Sequence, residues 1–197
     1  MTTAASLAWT GEPEARAWRG PALTACPLTY HRSLPGYRPT ALTELPALAA
    51  ELGAGRVLVK DESARLGLPA FKILGASWAI ERALAGRAGP PATLVAATDG
   101  NHGRAVARVA AQRGLAARIM IPDGVHPAAV AAIAAEGAEV IRVGGCYDDA
   151  VRQAALDAGL SGPDGTLPAA ASSDPGVPAL LIQDMAWPGY NEIPAWI

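Results

Sequence analysis

The segment Thr98-Asp99-Gly100-Asn101-His102-Gly103-Arg104 sets a carboxylate, a carboxamide and an imidazole in one turn with two glycines. It follows the apolar run Leu94-Val95-Ala96-Ala97 and precedes Ala105-Val106-Ala107-Arg108-Val109-Ala110-Ala111, so a strand ends there and a helix begins. Glycines let the backbone turn sharply and approach a ligand closely. The first amides of the helix have no internal partners, which suits an anion such as a carboxylate or a phosphate. The plainer readings stand beside this one: Asp99 and Asn101 as ordinary turn formers, His102 as a hydrogen-bonding residue of the helix start.

Two further residues carry candidate chemistry. Lys72 follows Gly67-Leu68-Pro69-Ala70-Phe71 and opens a helix, where the partly positive helix start disfavours a lysine. It is either a solvent-facing side chain or a nucleophilic amine that forms a Schiff base with an aldehyde cofactor. Asp184 follows the apolar Leu180-Leu181-Ile182 and precedes Trp187-Pro188-Gly189-Tyr190, and reads as a base, a cap or a turn residue. Tyr147-Asp148-Asp149 reads as a helix start with its acids at the positive end, without chemistry. Gly144-Gly145 reads as a strand-to-helix turn in preference to an anion site. No metal-ligand spacing, G-x-S-x-G or Walker pattern is present.

The elements that must position these residues alternate regularly. Strands are expected over 56–60, 93–97, 117–121, 138–143 and 180–182. Helices are expected over 42–52, 73–84, 102–112, 127–136 and 147–158, with Pro127 in a first turn and Gly137 just past an end. Residues 1–40 read as irregular with short elements, 161–178 as a loop, and Pro194 as the opening of a further helix. Alternating strands and helices imply a parallel sheet covered by helices, with ligands at the carboxyl ends of the strands, where the 98–104 turn falls.

Composition narrows the classes. The chain has 197 residues, 51% hydrophobic and 17% charged, enough to fold around a core. A net charge of −2 and no basic stretch give no support to nucleic-acid binding. No run of about 18 apolar residues is present, so no membrane span is expected, and Met1–Gly20 lacks the apolar centre of a signal peptide. A cytoplasmic location is the expectation, with Cys26 and Cys146 read as free thiols in preference to a disulfide.

Four segments in order resemble one family: Lys60-Asp61-Glu62-Ser63 with Arg65, Gly67 and Leu68; Ala70-Phe71-Lys72-Ile73-Leu74-Gly75; Ala97 to Arg104; and Tyr147-Asp148-Asp149 preceding Ile182-Gln183-Asp184-Met185-Ala186-Trp187-Pro188-Gly189-Tyr190 with Ile193-Pro194. The chain resembles the diaminopropionate ammonia-lyases, a branch of the pyridoxal-phosphate enzymes of the tryptophan synthase β-subunit fold. Asp99, where serine/threonine dehydratases carry a small or hydroxyl residue, and the Gln183-Asp184 segment point to this branch.

The resemblance implies an α/β fold, a three-layer parallel sheet with helices on both faces. It implies a small α/β domain over 71–186, with 1–70 and 187–197 belonging to a larger domain. Lys72 is expected to hold pyridoxal 5'-phosphate and return as a base. Asn101 is expected to bond the cofactor's phenolic oxygen, and Thr98, Asp99, Gly100, Asn101 and His102 to hold the substrate carboxylate. Asp99 would be the base for the D-substrate and Asp184 for the L-substrate of 2,3-diaminopropionate elimination. The family's glycine-rich phosphate loop is expected beyond Ile197, so the chain reads as the front part of something longer. A homodimer or a second polypeptide completing the fold is the expected partner. A serine/threonine dehydratase-like lyase and a catalytically silent binding or assembly module are the alternatives.

Overall fold

Strands β3 (Thr93–Ala97) and β4 (Ala117–Ile121) are continuous apolar runs, buried along almost their whole length. Strands buried on both faces read this way in parallel sheets covered by helices. The computed structural model, which describes residues 26–85, 87, 92–167 and 178–197, places them at the centre of a four-stranded parallel sheet. Its order is β5-β4-β3-β6, with β5 (Glu139–Arg142) and β6 (Ala179–Leu181) at the edges. Helices α4 (Asn101–Gln112) and α5 (Pro127–Ala134) make the connections β3 to β4 and β4 to β5. Helix α6 (Tyr147–Asp157) follows β5, and α3 (Lys72–Ala85) precedes β3.

Alternate residues of each strand face opposite ways, which builds three layers. Leu94, Ala96, Ile119 and Ile121 pack with Ile73, Ala76 and Ile80 of α3, Val106, Val109 and Ala110 of α4, and Ile133 of α5. Val95, Ala97, Met120 and Leu181 pack with Ala150, Val151, Ala154 and Ala155 of α6, and with Trp187 and Tyr190. This is the helix-covered parallel sheet expected from the alternation, in the three layers that the resemblance implies. Among the described residues no helix is long and apolar enough to cross a membrane.

The expected helix over 42–52 is split. Leu42–Glu44 is a strand, β1, paired antiparallel with β2 (Leu58–Lys60), and only Pro46–Leu52 is helical, as α2. Proline has no amide hydrogen and forces the residue before it toward extended backbone, so the helix starts at Pro46 and no earlier. Leu45 turns its amide to Val57 O at 2.9 Å instead. Leu42, Leu48 and Leu52 are exposed, so their spacing marks no core-facing stripe. A short helix α1 (Pro27–Ser33) lies in the region read as irregular with short elements, and the closing helix α7 (Glu192–Trp196) begins before Pro194. Cys26 and Cys146 are free and exposed. The expectations for Met1–Gly20 and for most of the 161–178 loop lie outside the described residues.

Two local features seat α4 under the 98–104 turn. A Cβ on Gly103 would meet the Thr98 methyl group and Ile119 Cγ2, the latter at 2.7 Å, so only glycine lets the helix start press onto the sheet. Farther along, Glu136 accepts from Arg104 Nε at 3.0 Å, from Arg108 Nη2 at 2.8 Å and from Arg108 Nε. The hydrogen bond from Arg108, more than any other cause, holds the Glu136 carboxyl below the usual glutamate range.

Gly103→Ala is expected to lower stability by about 1–3 kcal/mol through overpacking, read as a lower denaturant midpoint. Glu136→Gln is expected to cost about 1–3 kcal/mol at neutral pH. A carboxyl held low in the folded state stabilises above its unfolded pKa and loses that contribution as pH falls through the folded value. The gap between wild type and Glu136→Gln is therefore expected to close on the acid side of the ordinary glutamate range, checked by urea unfolding across pH.

Candidate active site

The 98–104 turn lies at the carboxyl end of β3, and its polar groups divide into two sets. Thr98 is buried, and its Oγ1 accepts the amides of Gly100 at 3.0 Å and Gly103 at 3.1 Å. Its hydroxyl is thus spent on shaping the turn. Asp99 and Asn101 point outward and are exposed. Among the described residues, the amides of Asp99, Asn101 and His102 donate to no protein group. These three donors at a helix start are what an incoming carboxylate requires.

Lys72 and Asp184 meet across 112 residues of sequence. Nζ donates to Asp184 Oδ2 at 2.7 Å, with the lysine about one-third exposed (34%) and the aspartate 16% exposed. Lys72 opens α3 and Asp184 follows β6, so both sit at the same end of the sheet as the turn. Beside them lies a cavity of about 240 Å³ lined by Phe71, Lys72, Gly75, Asp184, Pro194 and Ile197. Burial acts to raise the Asp184 carboxyl, but the Lys72 ammonium hydrogen-bonded to it opposes this, and the carboxyl is held below the usual carboxylate range. His102 is buried, and burial keeps its ring neutral against the opposing pull of Asp184.

Two polar side chains that the sequence reading left without a role complete the arrangement. Gln183 is fully buried; its Oε1 accepts the Ala97 amide at 2.9 Å, and its Nε2 donates to Tyr147 Oη at 2.8 Å and to Asp184 Oδ1 at 3.2 Å. Tyr147, at the start of α6, is pushed up to about 12, first by burial and then by the charges of Asp184 and Asp99, and therefore keeps its proton. With the Gln183 amide donating to its oxygen, its own O–H remains available for donation. Its position just past β5, at the carboxyl end of a strand, was the signal that could have found it. Tyr190 secures the base of Asp184 by accepting the Gln183 amide at 2.9 Å and donating to Leu181 O at 2.9 Å.

Lys72, Asp184 and His102 are thus brought together, with Asp99, Asn101 and the free amides on the adjoining turn. The Gly144-Gly145 turn is not an open anion site. Asp123 Oδ2 accepts the Gly145 amide at 2.9 Å and Asp149 Oδ2 accepts the Cys146 amide at 2.8 Å, so its own carboxylates occupy it. Among the described residues no cluster of three or more His, Cys, Asp or Glu side chains is placed to hold a metal ion. The donor set fits an aldehyde cofactor: a primary amine beside a cavity, a carboxylate to exchange its proton and an exposed carboxamide at Asn101.

Comparison with known proteins agrees with this chemistry. Residues 33–183 match the family model described as pyridoxal-phosphate dependent enzyme. The chain is 38% identical over 184 residues to diaminopropionate ammonia-lyase of Escherichia coli strain K12, covering 85% of this chain and 42% of the relative. It is 37% identical over 190 residues to the Salmonella typhimurium enzyme of that name, covering 86% of this chain and 43% of the relative. The chain thus spans less than half the length of these curated relatives. The crystal structure of the E. coli enzyme in apo form superposes with a TM-score of 0.70 over 86% of this chain and 45% of that one, at 38% identity. Another holds the E. coli enzyme in complex with an aminoacrylate-PLP azomethine reaction intermediate. With a family model spanning three-quarters of its length and a lysine, a carboxylate and a turn with unpartnered amides at one sheet end, the chain belongs to the pyridoxal-phosphate dependent enzymes.

Proposed function

We propose that this chain supplies the lysine-bearing portion of a pyridoxal-phosphate-dependent ammonia-lyase that converts 2,3-diaminopropionate and water to pyruvate and two ammonia molecules. The observation that carries the reading is the Lys72–Asp184 contact at 2.7 Å beside the unpartnered amides of the 98–104 turn. The cofactor, when bound, supplies an electron-withdrawing ring that stabilises negative charge on the substrate α-carbon. The rest falls to the chain. Lys72 holds the cofactor and afterwards accepts or returns a proton, with Asp184 as its neighbour. Asn101 bonds the cofactor's phenolic oxygen, and the amides of Asp99, Asn101 and His102 bind the substrate carboxylate, since those of Thr98 and Gly100 are held by Met120 O and Thr98 Oγ1. Asp99 takes the α-proton of the D-substrate and Asp184 that of the L-substrate.

The same reading assigns 71–186 to a small domain, 1–70 and 187–197 to a larger one, and the protein to the cytoplasm. Asp99 and the Gln183-Asp184 pair favour it over a serine/threonine dehydratase-like lyase. An assembly role is favoured by one observation: Leu42 and Leu58, on one face of the β1-β2 pair, are both exposed, as is Leu52 on α2. Exposed apolar side chains of this kind suit a second copy or a further polypeptide that completes the fold.

Added pyridoxal phosphate is expected to give a visible absorption band that borohydride fixes to the protein and that is missing in Lys72→Ala. A wild-type protein without the band overturns the cofactor assignment. In the assembled enzyme, Asp184→Asn is expected to slow pyruvate release from L-diaminopropionate by at least about 100-fold, and Asp99→Asn that from the D-isomer. Equal losses on both isomers in each variant would remove the two-base assignment.

A further inference from the structure

The two nitrogens of His102 meet different neighbours. The ring is 4% exposed, and Nε2 lies 2.7 Å from Ile182 O. A carbonyl oxygen only accepts, so Nε2 carries the hydrogen, and in the neutral ring Nδ1 is bare. Among the described residues Nδ1 has no hydrogen-bond partner, and it faces Asp184 Oδ2 at 3.7 Å. Two lone-pair atoms thus oppose each other inside the protein with no proton between them. The cation that balances Asp184 is Lys72, whose Nζ reaches the same Oδ2 at 2.7 Å.

An amine that attacks an aldehyde must first lose a proton, and that loss would leave Asp184 as a part-buried carboxylate without its counter-ion. We propose that His102 is a reserve proton acceptor for this pair: when Lys72 changes from ammonium to free amine, Nδ1 takes up a proton and the imidazolium replaces the ammonium beside Asp184. One N–H bond breaks at Nζ and one forms at Nδ1, with Oδ2 passing the proton. The electron pair of the broken bond stays on Nζ, the summed charge of the three side chains is unchanged, and nothing is oxidised or reduced. Conserving that charge matters because an unbalanced ion costs most where solvent is scarce.

The groups facing the ring agree with this order of events. Lys72 from α3 and Asp184 from the segment after β6 are the charged neighbours; burial first, and the Lys72 ammonium as well, disfavour the imidazolium, while Asp184 favours it. Removing the ammonium tips that balance. Tyr147 of α6 and Tyr190 reach Gln183, not the ring, and burial keeps both protonated. Asp99, on the same turn, is exposed. His102 acts through Asp184 and is a positioning residue. The inference rests on Lys72 as an aldehyde-reacting amine, but its test needs no cofactor.

Nitrogen-15 NMR of the imidazoles reads both tautomer and charge, with His31 and His126 as internal controls and His102→Asn assigning the signals. In wild type, His102 is expected to be the neutral Nε2–H form at about pH 6. In Lys72→Met its titration midpoint is expected to rise by about one pH unit or more, with Nδ1 gaining the proton. That rise is expected to vanish in Lys72→Met/Asp184→Asn. An Nδ1–H tautomer in wild type, or an unmoved midpoint in Lys72→Met, overturns the proposal. A second measurement avoids the Lys72 variant: labelling of Lys72 by pyridoxal and borohydride, read by mass spectrometry across pH. With His102→Asn the rate is expected to fall about tenfold per pH unit on the acid side, whereas in wild type it levels off. Parallel profiles count against the reserve acceptor. Failure of the absorption band with intact NMR behaviour would instead count against the cofactor reading alone.

Discussion

The site depends on how the pairing of β6 with β3 ends. Backbone pairing runs from Thr93 opposite Ala179 to Val95 opposite Leu181, and Ile182 still gives its amide to Val95 O at 2.7 Å. Beyond that point the strands separate, and buried backbone groups would be left without partners at high cost. Side chains take over. The Gln183 carboxamide accepts the Ala97 amide, the His102 ring meets Ile182 O, and the Tyr190 hydroxyl serves both Leu181 O and the Gln183 amide. Each side chain is thereby locked, and Asp184, the next residue along, is aimed at Lys72.

This arrangement puts rigid polar groups behind the site and adaptable ones in front of it. Gln183 and His102 are buried and fully committed in position, whereas Asp99 and Asn101 are exposed on the turn. Tyr190 is itself held by its stack on Trp187, with ring centroids 4.4 Å apart, and the tight turn between them needs Gly189 at φ +89°. A bound ligand would therefore meet a preformed floor and free donors at the rim, which lowers the ordering cost of binding.

Much of the fold was legible from local pattern. The strands over 93–97 and 117–121 lie where their unbroken apolar runs put them, because a central parallel strand is buried on both faces. Helices α4, α5 and α6 agree with expectation to within two residues, their starts set by the turn glycines, Pro127 and the acids of Asp148-Asp149. The 42–52 region misled because leucine spacing ignores Pro46 and the distant strand β2 that captures Leu42–Glu44. Lys72, Asp184 and the turn stood out by residue type. Tyr147 and Gln183 did not, since their roles come from contacts across 36 and 86 residues, and only the place of Tyr147 just past a strand end points to one.

The edge position of β6 has a consequence for how the molecule assembles. The unit β3–α4–β4 is closed by contacts between near neighbours in sequence, whereas β6 must find β3 after the chain has run through α5, β5 and α6. Pairings of long sequence separation are slow to form, because ordering the intervening chain precedes their reward. The Lys72–Asp184 contact spans 112 residues and exists only once that last strand has docked. The lysine and its carboxylate are thus joined by the docking of β6: until that strand pairs with β3, Lys72 has no Asp184 beside it.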